Sequence, residues 1–212
     1  MRTPNPGPRI PLPIGVLASG RGSNFQAIID AIEAGRLDAR IALLVTDRPD
    51  AQAIERARRH GVKSAFVDPK AYDSREMFDR ALVSLLKAHQ VELVCLAGFM
   101  RILSKTILDA FPGRIMNIHP SLLPSFPGLH AQRQALRHGV KVSGATVHFA
   151  DDGVDSGPII LQAAVPVKDD DSEESLAARI LHQEHQIYPR AIQLYAEGRL
   201  KLIGRRVLIE EK

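Results

Sequence analysis

A histidine and a carboxamide stand two residues apart in the segment Met116-Asn-Ile-His-Pro120. If this segment ends a β-strand, Asn117 and His119 share one face, because side chains alternate between the two faces of a strand. Pro120 cannot continue a central strand, so both side chains are expected at the strand's carboxyl end. An imidazole beside an amide donor suits general acid–base chemistry next to oxyanion stabilisation. A purely structural histidine at a strand end explains this motif equally well.

A second segment whose residues could bind a ligand is Ser19-Gly-Arg-Gly-Ser-Asn24, the glycine loop. It stands where a first strand should turn into a helix. Its two glycines permit tight turning, and the free N–H groups of a helix N-terminus attract anions. The dinucleotide fingerprint would need a third glycine at Phe25, and the Gly-Lys-Ser/Thr of a P-loop is absent. The loop therefore predicts a site for a terminal phosphate at Gly22, Ser23 and Asn24. A glycine turn with a Ser/Asn cap is the structural alternative.

Three carboxylates lie in the polar connection from Asp151 to Gly157, the aspartate loop. They belong to Asp151, Asp152 and Asp155. A carboxylate on a polar turn is usually only solvated. Spacing alone does not select one of the three as a partner for His119.

Other reactive side chains have simpler structural explanations. Cys95 lies inside the most apolar run of the chain and is predicted to be a core residue. His182 and His185 stand three residues apart on a predicted helix, but no third ligand cluster accompanies them, so no metal site is predicted. Arg205 and Arg206 are expected to be solvated surface residues.

Short apolar runs alternate with helical stretches in the first part of the chain, and these elements must position the residues above. Such alternation predicts βαβ units, a parallel sheet and right-handed crossovers. The run at residues 91–97 is the most apolar and is predicted to be the central strand. Strands are predicted at residues 14–18, 41–46, 64–67, 91–97 and 115–118, and helices at residues 24–34, 50–60 and 74–89.

The second half predicts strands at residues 142–149 and 158–167, an antiparallel pair joined by the aspartate loop. A long helix at 172–196 should begin at Ser172, and a strand-like tail follows at 200–209. The proline-rich loop at 121–130 is predicted to be shaped, and the sequence leaves open a cis peptide bond before Pro124. We expect one α/β domain over residues 14–200: a single Rossmann-like open, mostly parallel twisted sheet flanked by helices, with the antiparallel pair added. Residues 1–13 are predicted to be a disordered proline-rich leader, and residues 201–212 a C-terminal tail.

The composition of the chain limits the classes of function. Its 212 residues are 45% hydrophobic and 25% charged with one cysteine, which excludes a disordered chain and a disulfide-stabilised scaffold. The net charge of +4 fits a small anionic ligand at least as well as a nucleic acid. No run approaches the ~20 apolar residues that span a bilayer, and the leader lacks the apolar core of a signal peptide. A cytoplasmic location is expected.

Taken together, these segments resemble the folate-dependent formyltransferases. The resemblance runs from about residue 14 to residue 200, and the joint occurrence of the motifs in this order is highly specific. One difference stands in the aspartate loop, where Ser156-Gly157 replaces the two glycines common in the family. The matching segments are Gly20-Arg-Gly-Ser-Asn24, Asp73-Ser-Arg75, residues 96–103, Asn117-Ile-His-Pro-Ser-Leu-Leu-Pro124, Phe126-Pro-Gly-Leu-His130, Gly144-Ala-Thr-Val-His148, Asp155-Ser-Gly-Pro158 and Gln183-Glu-His185.

The resemblance implies a catalytic trio of Asn117, His119 and Asp155, with His148 supporting it. Asn117 would donate an N–H to the oxyanion of a tetrahedral intermediate. His119, near the ordinary histidine pKa of ~6.5, would be protonated to stabilise that oxyanion or to give a proton to the leaving nitrogen. Asp155 would keep His119 charged and would receive or relay the proton that the attacking amine loses.

The resemblance also implies two binding regions. The phosphate of a substrate would lie on Gly22, Ser23 and Asn24, and its ribose hydroxyls would bind Glu184. The second region would hold 10-formyltetrahydrofolate as a co-substrate. Its residues would be Arg75, Met100, Arg101, Ile102, Leu103, Asn117 and the backbone of the loop from Asp151 to Asp155.

The reaction implied is transfer of a formyl group from 10-formyltetrahydrofolate to the amine of glycinamide ribonucleotide, a step of purine synthesis, without a metal ion. The expected partners are these small molecules, with neither nucleic acid nor a membrane, and the protein is expected to be a monomer or a homodimer. A hydrolase that releases formate from the same folate is the nearest alternative, but such proteins usually carry an extra N-terminal regulatory domain. A formyltransferase for initiator tRNA would need a further RNA-binding domain. A non-catalytic Rossmann-like nucleotide-binding module is the alternative from a different class.

Overall fold

The computed structural model of the protein describes residues 10–211, in which strands and helices alternate up to residue 149. The strands of this range are β1 (Leu12–Leu17), β2 (Ala39–Thr46), β3 (Ser64–Phe66), β4 (Leu93–Leu96), β5 (Ile115–His119), β6 (Val142–Phe149), β7 (Ile159–Pro166), β8 (Leu200–Ile203) and β9 (Arg206–Ile209). Its α-helices are α1 (Ser23–Glu33), α2 (Gln52–Arg59), α3 (Arg75–Ala88), α4 (Lys105–Ala110), α5 (Ala131–His138) and α6 (Glu173–Ala196).

Seven strands form one sheet in the order β3-β2-β1-β4-β5-β6-β7. Strands β1 to β5 run parallel, whereas β6 runs antiparallel to both β5 and β7. The predicted central strand, β4, lies in the middle of this sheet. The predicted fold class, a mostly parallel sheet with an antiparallel pair, is confirmed.

Two apolar clusters cover the two faces of the sheet. Along β1, Ile14 and Val16 belong to the cluster that includes α1 and α6, while Leu17 belongs to the cluster that includes α3 and α4. This division follows from the alternation of side chains along a strand. Helices therefore pack on both faces, and the inner strands β1 and β4 are fully buried, as the inner strands of a parallel sheet are expected to be.

The two longest helices begin where their sequences predict. Ser74 Oγ accepts a hydrogen bond from the backbone N–H of Met77 at 3.2 Å and caps α3. At α6, Ser172 Oγ accepts from Ser175 N at 3.2 Å, and Ser175 Oγ accepts from Ser172 N at 3.0 Å. These bonds satisfy N–H groups that lack a partner within the helix.

The ends of the domain differ from the sequence prediction. Strand β1 begins at Leu12, so Leu12 and Pro13 belong to the sheet and not to the predicted leader. The carbonyl of Pro13 accepts a bond from Glu92 N at 2.8 Å, a contact that needs no N–H from the proline. Residues 1–9 of the predicted leader, and Lys212, lie outside the described residues. The predicted tail forms a hairpin of β8 and β9 that packs beside β7.

Two short helices were missing from the sequence prediction. The first, α4, has six residues, and the second, α5, has eight. The buried positions of α5 are only Ala131 and Ala135, which are too small and too few to produce a clear apolar period.

Candidate active site

The carboxylate of Asp155 lies against both polar side chains of β5. Its Oδ2 is 3.2 Å from His119 Nδ1, and its Oδ1 accepts a hydrogen bond from Asn117 Nδ2 at 3.2 Å. The backbone N–H of Gly128 donates to Oδ2 at 2.8 Å. The structure therefore brings the predicted trio together and selects Asp155 from the three carboxylates of the aspartate loop.

His148 completes this cluster from the neighbouring strand. It stands directly opposite Asn117 in the β5–β6 register, and Asn117 Nδ2 lies 3.2 Å from His148 Nε2. His148 Nδ1 lies 2.8 Å from the carbonyl oxygen of Phe149, which can only accept, so Nδ1 carries a proton. Asn117 Nδ2 and His148 Nε2 thus both lie beside Oδ1 of Asp155.

His119 is enclosed between two oxygen acceptors. Its Nδ1 faces Asp155, and its Nε2 lies 2.9 Å from the carbonyl oxygen of Phe126. Burial lowers the pKa of His119, and the bond to Phe126 and the charge of Asp155 offset this only in part. The expectation of an ordinary histidine pKa was therefore wrong, because the ring is only 5% exposed and loses hydration.

Asp155 remains charged in this surrounding. Burial by itself would raise the pKa of Asp155, but the neighbouring imidazoles of His148 and His119 and the Gly128 amide hold it below its usual value. The residue also has a φ of +50°, a left-handed conformation that is uncommon outside glycine. Two residues later, a Cβ added to Gly157 would lie 1.8 Å from the carbonyl oxygen of Phe149, so only glycine fits at the end of the loop.

The proline-rich loop that supplies Phe126 and Gly128 is well ordered by hydrogen bonds. Thr146 Oγ1 donates to the carbonyl of Ser121 at 2.7 Å and accepts from Leu123 N at 3.0 Å. The Leu123–Pro124 peptide bond is cis, the isomer that the sequence left open. A polar side chain of β6 thus fixes the loop that places two backbone groups on His119 and Asp155.

The glycine loop is held mainly by backbone packing. Gly22 precedes α1 with a φ of +68°, and a Cβ at this position would lie 2.8 Å from the Cβ of Ala53. Ala53 N donates to the carbonyl of Gly20 at 3.2 Å, and Arg56 Nε donates to the carbonyl of Arg21 at 2.8 Å. The first turn of α1 therefore presents its free N–H groups at a fixed position, as an anion site requires.

Asn24 and Glu184, which are 160 residues apart in sequence, meet beside this loop. Asn24 Nδ2 donates to Glu184 Oε2 at 2.7 Å, and both residues are buried. Burial raises the pKa of Glu184, and the bond from Asn24 offsets part of that effect. Asn24 Oδ1 is buried and has no partner among the described residues. The predicted phosphate and ribose residues therefore form one region.

A short segment after β4 links the glycine loop to β5. Strand β4 lies between β1 and β5, and Met100 N donates to Ser19 Oγ of the glycine loop at 2.9 Å. Of the residues predicted to bind the folate, Met100 and Ile102 are 60% and 57% exposed, and Leu103 is partly buried. Two large apolar side chains of this segment are therefore exposed to solvent.

Two side chains of helix α3 contact the same segment. The guanidinium carbon of Arg101 lies 5.1 Å above the ring of Phe78, and Asp79 Oδ2 accepts from Ser104 N at 2.5 Å. Arg75, at the start of α3, pairs with Glu76 at 3.8 Å. Within residues 10–211, no hydrogen bond or ion pair joins Arg75 to the trio.

Several residues that shape the site were not predicted from the sequence. Asp79 and Tyr188 are the clearest, and the Tyr188 hydroxyl lies 2.9 Å from the carbonyl of Leu96 and 3.0 Å from that of Met116. Thr146 had a usable signal, because it lies two residues before His148 on the same face of a predicted strand. Asp79 had none, since a carboxylate in a helix normally faces water.

Arg205 was predicted to be solvated, and this was wrong in part. Its side chain is 75% exposed, but it donates a hydrogen bond to the Ser156 carbonyl and lies 3.9 Å from Asp151 Oδ2. Asp151 and Asp152, which the sequence could not separate from Asp155, lie on the outer side of the loop as partly buried and exposed residues. The hairpin turn thus touches the aspartate loop.

The remaining reactive side chains play no part in this cluster. Cys95 is fully buried, as predicted, and burial raises the pKa of its thiol, so it is not a nucleophile. His182 Nε2 lies 2.9 Å from Gln186 Nε2 on the same helix. In the described part of the chain, no group of three or more His, Cys, Asp or Glu side chains could hold a metal ion. No helix of that part is long and apolar enough to cross a membrane.

Known proteins share this fold and much of this sequence. The phosphoribosylglycinamide formyltransferase of Escherichia coli K12 is 48% identical over 189 residues, which cover 89% of each chain. The crystal structure of glycinamide ribonucleotide transformylase 1 from Symbiobacterium toebii is 60% identical, with a TM-score of 0.93 over 94% of each chain.

A formyltetrahydrofolate deformylase from Pseudomonas syringae is more distant. It is 27% identical, with a TM-score of 0.87 over 94% of this chain and 66% of that one. The family model described as formyl transferase matches residues 13–192, which contain the trio, the glycine loop and Glu184. The chain therefore belongs to the formyl transferase family.

Proposed function

We propose that this protein transfers the formyl group of 10-formyltetrahydrofolate to the primary amine of N1-(5-phospho-D-ribosyl)glycinamide. The products are formylglycinamide ribonucleotide and tetrahydrofolate, in the synthesis of purines. Membership of the formyl transferase family and similarity over most of the chain to phosphoribosylglycinamide formyltransferases support this reaction. A cytoplasmic location and a monomeric or homodimeric state stay predictions.

The observation that carries the proposal is the position of Asp155 between an acid–base group, His119, and a hydrogen-bond donor, Asn117. One of its oxygens lies 3.2 Å from His119 Nδ1, and the other accepts from Asn117 Nδ2 at 3.2 Å. One carboxylate thus contacts both the proton-carrying ring and the amide donor. A formyl carbon held beside Asn117 and His119 has an oxyanion donor and an acid–base group within reach.

The chemistry begins when the amine nitrogen attacks the formyl carbon. A new C–N bond forms, and the carbonyl electron pair moves onto the formyl oxygen. In the free protein Asn117 Nδ2 donates to Asp155, so the oxyanion would take the place of that acceptor. Negative charge on that oxygen favours the protonated form of His119, which burial disfavours before the substrate binds.

Collapse of the intermediate breaks the bond between the formyl carbon and the folate nitrogen. The attacking amine loses one proton and the folate nitrogen gains one, so protons and charge balance. His119 and Asp155 lie close enough to relay that proton, and holding both substrates in line supplies much of the remaining acceleration. The reaction needs no covalent enzyme intermediate.

The two binding regions fit the two substrates. The N–H groups of α1 and the polar atoms of Ser23 and Asn24 suit a phosphate monoester. The buried Glu184 carboxylate, next to Asn24, can accept hydrogen bonds from ribose hydroxyls. The exposed side chains of Met100 and Ile102 offer an apolar surface for the folate ring system.

An absorbance assay for the folate product, with and without glycinamide ribonucleotide, tests the proposal. We expect product only when both substrates are present. Equal rates without the ribonucleotide would identify a hydrolase of formyl folate. Binding of NAD(P)H with no formyl transfer would instead favour a nucleotide-binding module.

A further inference from the structure

We propose that Arg205, in the turn of the C-terminal hairpin, is a positioning residue that fixes the aspartate loop and thereby the folate side of the site. The inference rests on the proposed function, because its kinetic consequence concerns the formyl folate. The sequence alone predicts no role for this hairpin. Its contacts with the loop come entirely from the tertiary structure.

The hairpin is firmly attached to the domain, so its turn can act as a fixed support. Leu200 of β8 is buried in the main apolar cluster, and Val207 of β9 packs against it. Arg199 Nε donates to the carbonyl of Glu210 at 2.6 Å, and Glu210 N donates to the carbonyl of Arg199 at 2.9 Å. Both ends of the hairpin are thus tied together next to α6.

From this support, Arg205 reaches two residues at opposite ends of the loop. It donates a hydrogen bond to the carbonyl of Ser156, and its Nη1 lies 3.9 Å from Asp151 Oδ2. The second oxygen of Asp151 accepts from Ser156 Oγ at 2.6 Å and from Gly153 N at 3.2 Å. A guanidinium donates from several N–H groups in one plane, which suits such a double contact.

The contacts of Arg205 lie next to Asp155, a residue whose backbone conformation is constrained. Asp155 immediately precedes Ser156, has a φ of +50° and directs its carboxylate to Asn117, His119 and Gly128. A strained backbone persists only when its surroundings hold it in place. Without Arg205, the hydrogen bonds that the described residues give the outer half of the loop are the local ones of Asp151, and the backbone that would face the folate becomes freer to move.

The kinetic test compares two adjacent arginines of the hairpin. We expect Arg205→Ala to raise the KM for 10-formyltetrahydrofolate by about threefold to tenfold, because charge-assisted bonds order the loop. The KM for the ribonucleotide should change by less than about twofold, since the glycine loop has separate supports. Arg206→Ala is the matched control, and both constants should stay at wild-type values. Arg205→Lys keeps the charge but not the planar donors and should be intermediate.

A second measurement separates positioning from general stability. An exposed ion pair contributes little to folding, so the Tm of Arg205→Ala should fall by no more than about 2 °C. Amide hydrogen exchange in peptides covering residues 150–158 should nevertheless become about tenfold faster than in wild type or Arg206→Ala. Unchanged exchange, or a folate KM equal to that of Arg206→Ala, would overturn the inference. If the wild type transfers no formyl group, the proposed function fails, and the exchange experiment still decides whether Arg205 holds the loop.

Discussion

The glycine loop and the aspartate loop both border the candidate active site, but different kinds of contact hold them. The glycine loop is fixed by its own backbone and by α2, with Gly22 packed against Ala53. The aspartate loop is fixed by side chains from distant elements, namely His119, His148 and Arg205. The glycine loop is thus held mostly by backbone packing and has one remote carboxylate, Glu184, on Asn24, whereas Asp155 contacts several remote titratable side chains.

The largest effect should come from the group that the aspartate loop orients. We expect His119→Ala to lower the single-turnover rate of formyl transfer by about 100- to 10,000-fold, because an acid–base group is lost. Rapid-quench measurements on the folded variant, checked by circular dichroism, give the rate. His89→Ala, at the end of α3, is the control and should transfer at the wild-type rate. A folded His119→Ala protein with near-normal turnover would contradict the assignment.

The glycine loop should be sensitive to a single methyl group. Gly22→Ala places a Cβ 2.8 Å from that of Ala53 in a left-handed conformation, so it should cost about 1–3 kcal/mol of folding free energy. The KM for the ribonucleotide should rise by at least about tenfold, with the folate KM unchanged. Gly20→Ala is the control, because a Cβ there meets nothing within 4 Å. Steady-state kinetics and urea unfolding measure the two effects. Equal KM values and equal unfolding free energies for the two variants would contradict the tight packing of Gly22.

A smaller effect is expected where α3 supports the segment at residues 100–104. Asp79→Ala removes the acceptor of the Ser104 N–H bond and should raise the folate KM by about threefold to fivefold. Asp79→Asn keeps an acceptor oxygen, and because burial already raises the pKa of Asp79, a neutral side chain should be tolerated. Kinetics with varied folate at saturating ribonucleotide test this. A larger effect on the ribonucleotide KM would place Asp79 with the glycine loop instead.

The pH dependence of stability should have opposite signs at the two loops. The pKa of Asp155 is lower in the folded protein, so its contribution to stability is present above the unfolded value of ~3.9 and is lost as the pH falls. His119 also has a lowered pKa, and its contribution declines as the pH drops below ~6.5. The pKa of Glu184 is raised, so its contribution is present at acid pH and is lost as the pH rises through the folded value.

Two isosteric variants sharpen this last contrast. Relative to wild type, Asp155→Asn should flatten the loss of stability below about pH 4, whereas Glu184→Gln should raise stability above about pH 5. Urea unfolding from pH 3 to pH 8 gives the free energy of unfolding for each protein. If both substitutions changed the pH dependence of the free energy of unfolding in the same direction, the two loops would not differ electrostatically.

Local patterns in the sequence were enough for much of the fold. The alternation of apolar strands with helices predicted βαβ units and a parallel sheet. Ser74 and Ser172 marked helix starts, because their capping hydrogen bonds close within three residues. The short helices α4 and α5 and the β8–β9 hairpin lacked such signals. The period-two spacing of Asn117 and His119 predicted their shared position at the end of β5, because that depends only on strand geometry.

The sequence by itself determined which residue types could act and that the glycine loop precedes a helix, since both follow from neighbours along the chain. Only the tertiary structure decided which carboxylate meets His119, that Glu184 meets Asn24, and that Arg205 reaches the aspartate loop. It also decided the direction of the His119 pKa, because hydration is lost only when the packed chain closes over the ring. These contacts join residues far apart in sequence, where spacing carries no distance information.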